Sequence, residues 1–254
     1  MMQRKTGGAA RDADPVTDAI YAEPKPLIAD FSFGTETTAV FDDMLLRSVP
    51  FYDEIQRMIG ELANDFAIDG TNIYDLGCAT GATLRTLCRL ERDVMCIGID
   101  SSAAMLARAD AELKRASPGR RYVLRNQDID QELAIDNASV VVMSLTLQFV
   151  RPLHRERVLR AVYDGLNPQG CLILIEKVLE EDTLTNRLFI KHYYEFKRRN
   201  GYAEIEIAQK REALENVLIP YRLEENRALL RAVGFRQAEI FFKWYNFCGI
   251  LAVR

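Results

Sequence analysis

A short apolar segment followed by a turn with two glycines is the arrangement that brings bare backbone close to a ligand. Residues 72–76 read Asn-Ile-Tyr-Asp-Leu, and residues 77–81 read Gly-Cys-Ala-Thr-Gly before a predicted helix over 83–90. Glycine adopts unusual dihedral angles and has no side chain to hold a ligand away. The next predicted strand, residues 94–99, is followed by Asp100, about 20 residues past the turn, where an acid commonly holds ribose hydroxyls. The spacing predicts a nucleoside site.

The glycine spacing argues against a dinucleotide. A dinucleotide fingerprint reads G-x-G-x-x-G and presents a helix N-terminus to a pyrophosphate. Here Gly77 and Gly81 are separated by Cys78, Ala79 and Thr80, and Asp75 comes just before them. That acid would repel a pyrophosphate but would suit the ammonium of an amino-acid-bearing nucleoside. The turn resembles motif I of class I S-adenosylmethionine-dependent methyltransferases.

The remaining pattern predicts the elements that position this turn. Further strands are predicted at 122–125, 139–145, 171–176, 238–243 and 247–253, with helices between them. Residues 139–145 are nearly all apolar and β-branched, as expected of a parallel strand buried on both faces. The last two strands are joined by a short connection and must be antiparallel. The predicted fold class is α/β, and the resemblance to motif I implies a Rossmann-like class I methyltransferase fold with a mostly parallel, seven-stranded sheet and helices on both faces.

The domain organisation follows from the same pattern. Residues 1–38 are predicted to be an N-terminal extension, partly disordered, with residues 1–30 mostly a mobile leader. Residues 39–254 are predicted to form one methyltransferase-like domain, with a charged helical insertion at 177–221 that would cover the substrate. The basic and aromatic residues of this insertion could touch RNA, but in an acidic chain they are more often a solvated helix face.

Three further positions lie where ligands bind in such a sheet, at the carboxyl ends of strands. Asp128 and Ile129 follow the third strand, where the acid could accept a hydrogen bond from an exocyclic amine and Ile129 could cover the base. The alternative, a loop Asp that caps a turn, has equal weight. Ser144 ends the fourth strand. Tyr52 begins a helix near this edge, although spacing alone favours simple packing against the helix.

Composition excludes several classes of function. The net charge of -4 and the pI near 5.4 give no general basic surface for nucleic acid. The five cysteines are odd in number and lack C-x-x-C spacing, and they are interpreted as reduced core residues of a cytoplasmic protein. With two histidines, neither near a cysteine pair, no metal site is predicted. No apolar run is long enough to span a membrane.

Several longer motifs resemble the carboxy-S-adenosyl-L-methionine synthase family. They are Arg-Ser-Val-Pro-Phe-Tyr at 47–52, Tyr-Asp-Leu-Gly-Cys at 74–78, Thr-Leu-Gln-Phe at 146–149, Phe-Lys-Arg-Arg-Asn-Gly-Tyr at 196–202, Gln-Lys-Arg at 209–211 and Leu-Glu-Asn-Val at 214–217. The resemblance runs from about residue 41 to the C-terminus. The motifs within the insertion are the specific ones, because generic methyltransferases do not share them. Family members carry Ser at the position of Ala79 and Asn at that of Ser144.

The resemblance implies an activity and a set of site residues. Prephenate would lose its carboxylate and hydroxyl to give phenylpyruvate, and the carboxylate would be added to the sulfonium methyl of S-adenosyl-L-methionine. The leaving hydroxide would take the methyl proton, so no protein base is predicted. The product, carboxy-S-adenosyl-L-methionine, would serve a separate enzyme that modifies the tRNA wobble uridine. The resemblance also implies a homodimer and places these residues around the cofactor: Tyr52, Gly77, Cys78, Ala79, Asp100, Ser101, Asp128, Ile129, Ser144 and Arg211.

Arg211 is the residue that the resemblance assigns to the added carboxylate, and charge supports that assignment. A plain sulfonium would repel a neighbouring guanidinium, whereas a carboxylated sulfonium or a dicarboxylate substrate would be held by two hydrogen bonds. Without the resemblance, Arg211 would be interpreted as a surface helix residue. Two other functions stay open: a small-molecule methyltransferase and a non-catalytic nucleoside- or RNA-binding module.

Overall fold

The computed structural model describes residues 17–254, which form one twisted sheet covered by helices on both faces. Its strands are β1 (Asn72–Leu76), β2 (Met95–Asp100), β3 (Tyr122–Asn126), β4 (Ala138–Ser144), β5 (Leu166–Leu179), β6 (Tyr221–Arg222), β7 (Gln237–Trp244) and β8 (Phe247–Val253). The order across the sheet is β3-β2-β1-β4-β5-β8-β7, and the two-residue β6 pairs with β5 off this path. Only β8 runs against its neighbours among these seven strands, as predicted for the closing hairpin.

Eight helices lie within residues 17–254, and the helix predicted over 83–90 is shorter than expected. They are α1 (Thr35–Ser48), α2 (Tyr52–Phe66), α3 (Ala82–Leu87), α4 (Ala103–Ala116), α5 (Pro152–Gly165), α6 (Thr183–Arg199), α7 (Glu204–Leu214) and α8 (Leu223–Val233), with a 3₁₀ turn at Leu147–Phe149. Ser102 caps α4, because its Oγ accepts a hydrogen bond from the Met105 N–H at 3.3 Å. None of the helices within 17–254 has both the length and the apolar character to cross a bilayer.

The two faces of the sheet carry separate hydrophobic layers, as alternation along the central strands requires. Along β4, Val140 and Val142 pack into the layer that contains Ile55 and Ile59 of α2. Val141 and Met143 face the opposite layer, which is completed by α5 and α8. This double coverage explains why β4 is apolar at almost every position, and it fixes the register that brings the strand ends to one edge.

The N-terminal segment differs from the sequence expectation of a mobile leader over residues 1–30. Residues 1–16 lie outside the described part of the chain, but residues 17–34 pack along α1 and α7. Asp18 is 2% exposed, and Tyr21 and Phe31 are buried with α1 residues. Gln209 donates to the carbonyl oxygens of Tyr21 and Glu23 at 2.9 Å each. These contacts join residues remote in sequence, so local composition could not predict them.

Strand β5 is longer than the predicted strand at 171–176, because it continues past Glu176 to Leu179. Lys177 still pairs with Phe247 of β8, and Val178 pairs with Tyr221 of β6. The extension carries Lys177 beyond the carboxyl edge of the neighbouring β4. Helices α6 and α7 then follow and lie over that edge. The predicted domain boundaries at residues 38 and 177 stay predictions. Strand β5, however, does not end at residue 177.

Candidate active site

The carboxyl ends of the parallel strands open onto a cavity of about 530 Å³, a size typical of small-molecule sites, which are roughly 300–1,000 Å³. All ten residues that were predicted as binding residues line it: Tyr52, Gly77, Cys78, Ala79, Asp100, Ser101, Asp128, Ile129, Ser144 and Arg211. The structure therefore brings together positions that were identified from separate motifs. Their roles toward a ligand stay predictions.

The glycine turn has the geometry that its sequence requires. Gly77 and Gly81 have φ angles of 72° and 81°, where a side chain would be strained. A Cβ on Gly77 would lie 2.6 Å from the Thr146 Oγ1, and one on Gly81 would lie 3.0 Å from the Ala109 Cβ. Ala79 also has a positive φ, 45°. The turn is thus pressed against its neighbours on one side and leaves its backbone open to the cavity on the other.

Asp100 holds this turn in place. Its Oδ2 accepts a hydrogen bond from the Ala79 N–H at 2.9 Å, and its Oδ1 accepts one from the Ser102 N–H at 2.8 Å. Burial raises the pKa of the Asp100 carboxyl, and these two N–H donors oppose the rise. A carboxylate has about four lone-pair sites, so acceptor capacity remains for ribose hydroxyls.

Asp75 does not occupy the place that its motif suggested. It is 2% exposed and is absent from the cavity lining, and its Oδ2 has no hydrogen-bond partner in the structure. Burial raises the pKa of the Asp75 carboxyl to about 7, and the charge of Asp100 adds to the rise. Burial raises the pKa of the Tyr52 hydroxyl, and the charge of Asp75 adds to that rise. The expected direct contact between Asp75 and a ligand ammonium is therefore not present in this arrangement, because the carboxylate lies behind the turn.

The residues after β3 combine the two interpretations that the sequence left open. Asp128 Oδ1 accepts a hydrogen bond from the Asp130 N–H at 2.9 Å, which is the turn-capping role. The same residue is exposed and lines the cavity, so its other oxygen is free to meet a ligand amine. Ile129 is buried beside it in the sheet core, and Ser144 lies half-buried at the end of β4.

The N-terminal segment and α1 supply a wall that the sequence did not predict. Phe31 and Phe33 line the cavity, and their ring centroids lie 5.2 Å apart with the rings edge to face. Phe33 also contacts the Phe149 ring at 5.1 Å, and Phe41 and Met44 of α1 extend the same apolar surface. An apolar wall of this kind excludes water from bound ligand.

Arg211 lies on α7 at the rim of the cavity. Its side chain lines the cavity and is also exposed to solvent. It forms no ion pair with any residue within 17–254. Its guanidinium is therefore available to an anionic group without first breaking an internal pair. Because α7 shares the cavity with the glycine turn, Arg211 does not project into bulk solvent on a remote surface.

Three lysines give one side of the cavity a positive charge. We call Lys177 of β5, Lys197 of α6 and Lys210 of α7 the lysine corner; all three line the cavity. Lys197 and Lys210 are 6% and 5% exposed, so the prediction of a solvated helix face is wrong for them. It holds for Arg198, which is paired with Glu195 and Glu204 away from the corner.

Burial and mutual repulsion lower the pKa values of the lysine corner. Burial lowers the pKa of Lys177 to about 8. Burial also lowers the pKa of Lys197 well below its ordinary value, and the charges of Lys210 and Lys177 add to that effect. For Lys210 the lowering by burial is opposed by Asp18, whose Oδ2 lies 3.3 Å from the Lys210 Nζ.

Sequence reasoning missed the lysine corner because its members lie on different elements. One signal was present: Tyr193 and Lys197 are four residues apart on α6, so they share a helix face, and both line the cavity. An aromatic and a cation at that spacing indicated an inward face. Nothing local indicated that Lys177, at the end of a strand, would join them.

The residues present fit a sulfonium nucleoside with an added or neighbouring carboxylate. The turn lines the cavity with Gly77, Cys78 and Ala79, and Gly77 leaves no side chain between its backbone and a ligand. Asp100 and Asp128 offer acceptors to hydroxyl and amine groups, and Arg211 offers donors to a carboxylate. These residues can be explained without a phosphate-binding site of the kind that holds a dinucleotide.

Comparison with known proteins points in the same direction. A family model for a methyltransferase domain matches residues 74–172. A carboxy-S-adenosyl-L-methionine synthase of Methylococcus capsulatus is 54% identical over 239 residues, which covers 93% of this chain and 99% of the relative. A protein of the same name from Desulfotalea psychrophila is 43% identical over 239 residues, covering 93% and 97%.

Solved structures agree on the fold. An O-methyltransferase family protein from Burkholderia thailandensis superposes with a TM-score of 0.64 at 14% identity, covering 88% of this chain and 64% of that one. Magnesium protoporphyrin IX methyltransferase from Synechocystis PCC 6803, with bound SAH, gives a TM-score of 0.56 at 16% identity, covering 80% and 82%. At these identities the likeness shows the class I methyltransferase fold alone.

Proposed function

Because the chain belongs to the carboxy-S-adenosyl-L-methionine synthase family, we propose that it converts S-adenosyl-L-methionine and prephenate into carboxy-S-adenosyl-L-methionine and phenylpyruvate. It is an enzyme of the transferase class, and S-adenosyl-L-methionine is its cofactor. The observation that carries the proposal is that one cavity joins the glycine turn and Asp100 to Arg211. A guanidinium beside a sulfonium is unfavourable unless the ligand also brings a carboxylate.

Each side chain contributes binding or orientation. The turn at Gly77 admits the nucleoside, Asp100 accepts from the ribose hydroxyls, and Asp128 accepts from the exocyclic amine of the base. Ile129 covers the base, and Tyr52 closes the cavity from α2. The bound sulfonium supplies an acidic methyl group. The protein holds the carboxylate donor against it and excludes water, which is the contribution that alignment and desolvation make to such a reaction.

The wider setting is part of the proposal. The product would supply a separate enzyme that carboxymethylates the tRNA wobble uridine, so this chain need not bind nucleic acid. Five free, buried cysteines support a reducing, cytoplasmic compartment. We also propose a homodimer; the exposed apolar side chains of Leu184 and Leu188 on α6 support an interface there. Light scattering on the purified protein tests the dimer.

Mass spectrometry of the small molecule that copurifies with the protein tests the main function. We expect a species heavier than S-adenosyl-L-methionine by one carbon dioxide, and formation of phenylpyruvate when prephenate is added. Plain S-adenosyl-L-methionine, with methyl transfer and no response to prephenate, would instead identify a small-molecule methyltransferase. Salt-sensitive tRNA binding without turnover would identify a binding module.

Replacement of Arg211 tests the carboxylate contact. We expect Arg211→Ala to weaken retention of carboxy-S-adenosyl-L-methionine by about 10- to 100-fold, the usual worth of a hydrogen-bonded charged contact. Affinity for S-adenosyl-L-methionine should change little, because that ligand lacks the added carboxylate. Competition between the two ligands measures both values.

Arg199→Ala is the matched control for Arg211, because Arg199 is an exposed arginine on the adjacent helix α6 and does not line the cavity. It should retain both ligands as the unmodified protein does. Equal retention of the carboxylated ligand by Arg211→Ala and Arg199→Ala would remove Arg211 from the site.

A further inference from the structure

Two ammonium groups of the lysine corner lie over a single aromatic ring. The Nζ of Lys177 is 4.8 Å from the ring centroid of Tyr193, and the Nζ of Lys197 is 4.9 Å from it. All three side chains line the cavity, and none belongs to the set assigned to the cofactor. The corner is therefore a part of the cavity whose purpose the nucleoside does not explain.

These two lysines differ from the third in having no carboxylate partner. Lys210 is paired with Asp18 at 3.3 Å, and the pair is buried. Within residues 17–254, the Lys177 and Lys197 ammonium groups lie over aromatic rings and form no ion pair with an acid. The charge of Asp18 only partly opposes the lowering of the Lys197 pKa by burial. Lys197 nevertheless is only 6% exposed. An unpaired, buried ammonium is costly by several kcal/mol.

The surroundings indicate what kind of ligand would offset that cost. An anion brought by the ligand would supply the missing charge, and a lowered lysine pKa would return toward its ordinary value once that anion is bound. The aromatic residues Tyr193, Tyr194 and Phe247 line the same part of the cavity. The ligand should therefore join a carboxylate to an apolar ring-sized body.

We propose that Lys177 and Lys197 form a carboxylate subsite that positions the carboxyl-donating substrate. Of the two carboxylates of prephenate, one leaves the ring and is added to the cofactor, where Arg211 meets it. The other stays on the product phenylpyruvate, and the lysine subsite holds that one. The identity of the substrate rests on the proposed function, whereas the existence of an anion subsite rests on the two unpaired cations.

Two substitutions test the subsite, Lys177→Met and Lys197→Met, because methionine keeps an apolar chain of similar length and removes the charge. In each variant we expect the KM for prephenate to rise about 30-fold or more, as when one partner of a buried charged contact is lost. The affinity for S-adenosyl-L-methionine should stay within about twofold, because its binding residues are untouched. Lys197→Arg should recover part of the loss, since it keeps the charge.

Lys191→Met is the matched control, because Lys191 is exposed on the same helix as Lys197 and does not line the cavity. It should leave both constants unchanged. Thermal unfolding of every variant shows that the fold is retained; removal of a buried unpaired charge is not expected to lower the melting temperature.

The outcomes separate this inference from the proposed function. Unchanged KM values in both lysine variants, in an enzyme that converts prephenate, would overturn the subsite and leave the function intact. Loss of S-adenosyl-L-methionine affinity instead of a KM effect would also overturn it, by assigning the lysines to the cofactor's own carboxylate. If the unmodified enzyme does not turn over prephenate, calorimetric titration of prephenate decides: binding that both variants lose supports the subsite, and absence of binding overturns it.

Discussion

The carboxylates and the ammonium groups of the cavity are held in different ways. Asp100 and Asp128, at the ends of neighbouring strands, accept hydrogen bonds from backbone N–H groups a few residues away or in the adjacent turn. Lys177 and Lys197 face the other side of the same cavity with aromatic rings as their recorded neighbours. Both carboxylates therefore have backbone donors before any ligand arrives and keep acceptor capacity for it, whereas the two ammonium groups have no acid partner.

The difference indicates how the two sides respond to ligand. A carboxylate that is already hydrogen-bonded presents a preformed set of acceptors, which suits a cofactor that stays bound. An unpaired buried cation raises the free energy of the empty site and so favours binding of an anion. Lys210 lies between these cases, because Asp18 from the N-terminal segment neutralises it.

The largest expected effect concerns that internal pair. Asp18 accepts hydrogen bonds from the Tyr202 hydroxyl at 2.6 Å and from Lys210 at 3.3 Å. We expect Asp18→Asn to lower the free energy of unfolding by about 3 kcal/mol, because it leaves a buried ammonium without its partner. Urea denaturation measures the change.

Removing both charges sharpens the test. The double variant Asp18→Asn with Lys210→Met should recover most of the loss, since the stranded charge is gone. Asp30→Asn, an exposed acid of the same segment, is the control. A double variant no more stable than Asp18→Asn alone would show that Asp18 acts through the Tyr202 hydroxyl rather than through charge.

The next effect concerns the acidic side. Asp100→Ala removes the acceptor of the Ala79 and Ser102 N–H groups and the predicted ribose contact. We expect S-adenosyl-L-methionine affinity to fall by about 100-fold, measured by calorimetry. Asp93→Asn, a surface acid paired with Arg121, should bind as the unmodified protein does. Full affinity in Asp100→Ala would mean that the turn, without its acid, is sufficient.

The smallest expected effect is a pH dependence confined to the lysine side. The pKa of Lys177 is lowered by burial to about 8. A carboxylate ligand binds the protonated form, so the KM for prephenate should rise above pH 8, approaching tenfold per pH unit while the free lysine loses its proton. The facing titratable groups are Tyr193, Tyr194 and Lys197 of α6 and Lys210 of α7.

The cofactor side provides the comparison for this pH effect. S-adenosyl-L-methionine affinity should vary with pH in the same way in the unmodified enzyme and in Lys177→Arg, because no lysine is assigned to that ligand. In Lys177→Arg the rise in KM should move to higher pH, since the guanidinium stays charged. A profile that is identical in the unmodified enzyme and in Lys177→Arg would contradict the assignment to Lys177.

Much of the acidic side could be predicted from the sequence because its determinants are local. The turn at Gly77, the acid at Asp100 and the strand ends at Asp128 and Ser144 each follow from a few consecutive residues, and parallel strands bring them to one edge. The expected ligand contact of Asp75 is not supported, since motif position does not tell whether a side chain reaches the cavity, and Asp75 is buried outside its lining.

The sequence by itself determined the fold class, the nucleoside turn and, through motifs in the insertion, the family. Only the tertiary structure decided which charges meet: Lys177, Lys197 and Lys210 come from a strand and two helices, and Asp18 lies 192 positions from Lys210. Such contacts depend on how separate elements pack rather than on the preferences of neighbouring residues. Burial then sets how strongly these charges interact. An ammonium that water would solvate on an isolated helix loses that solvation inside a closed cavity, and it therefore binds an anion more strongly there.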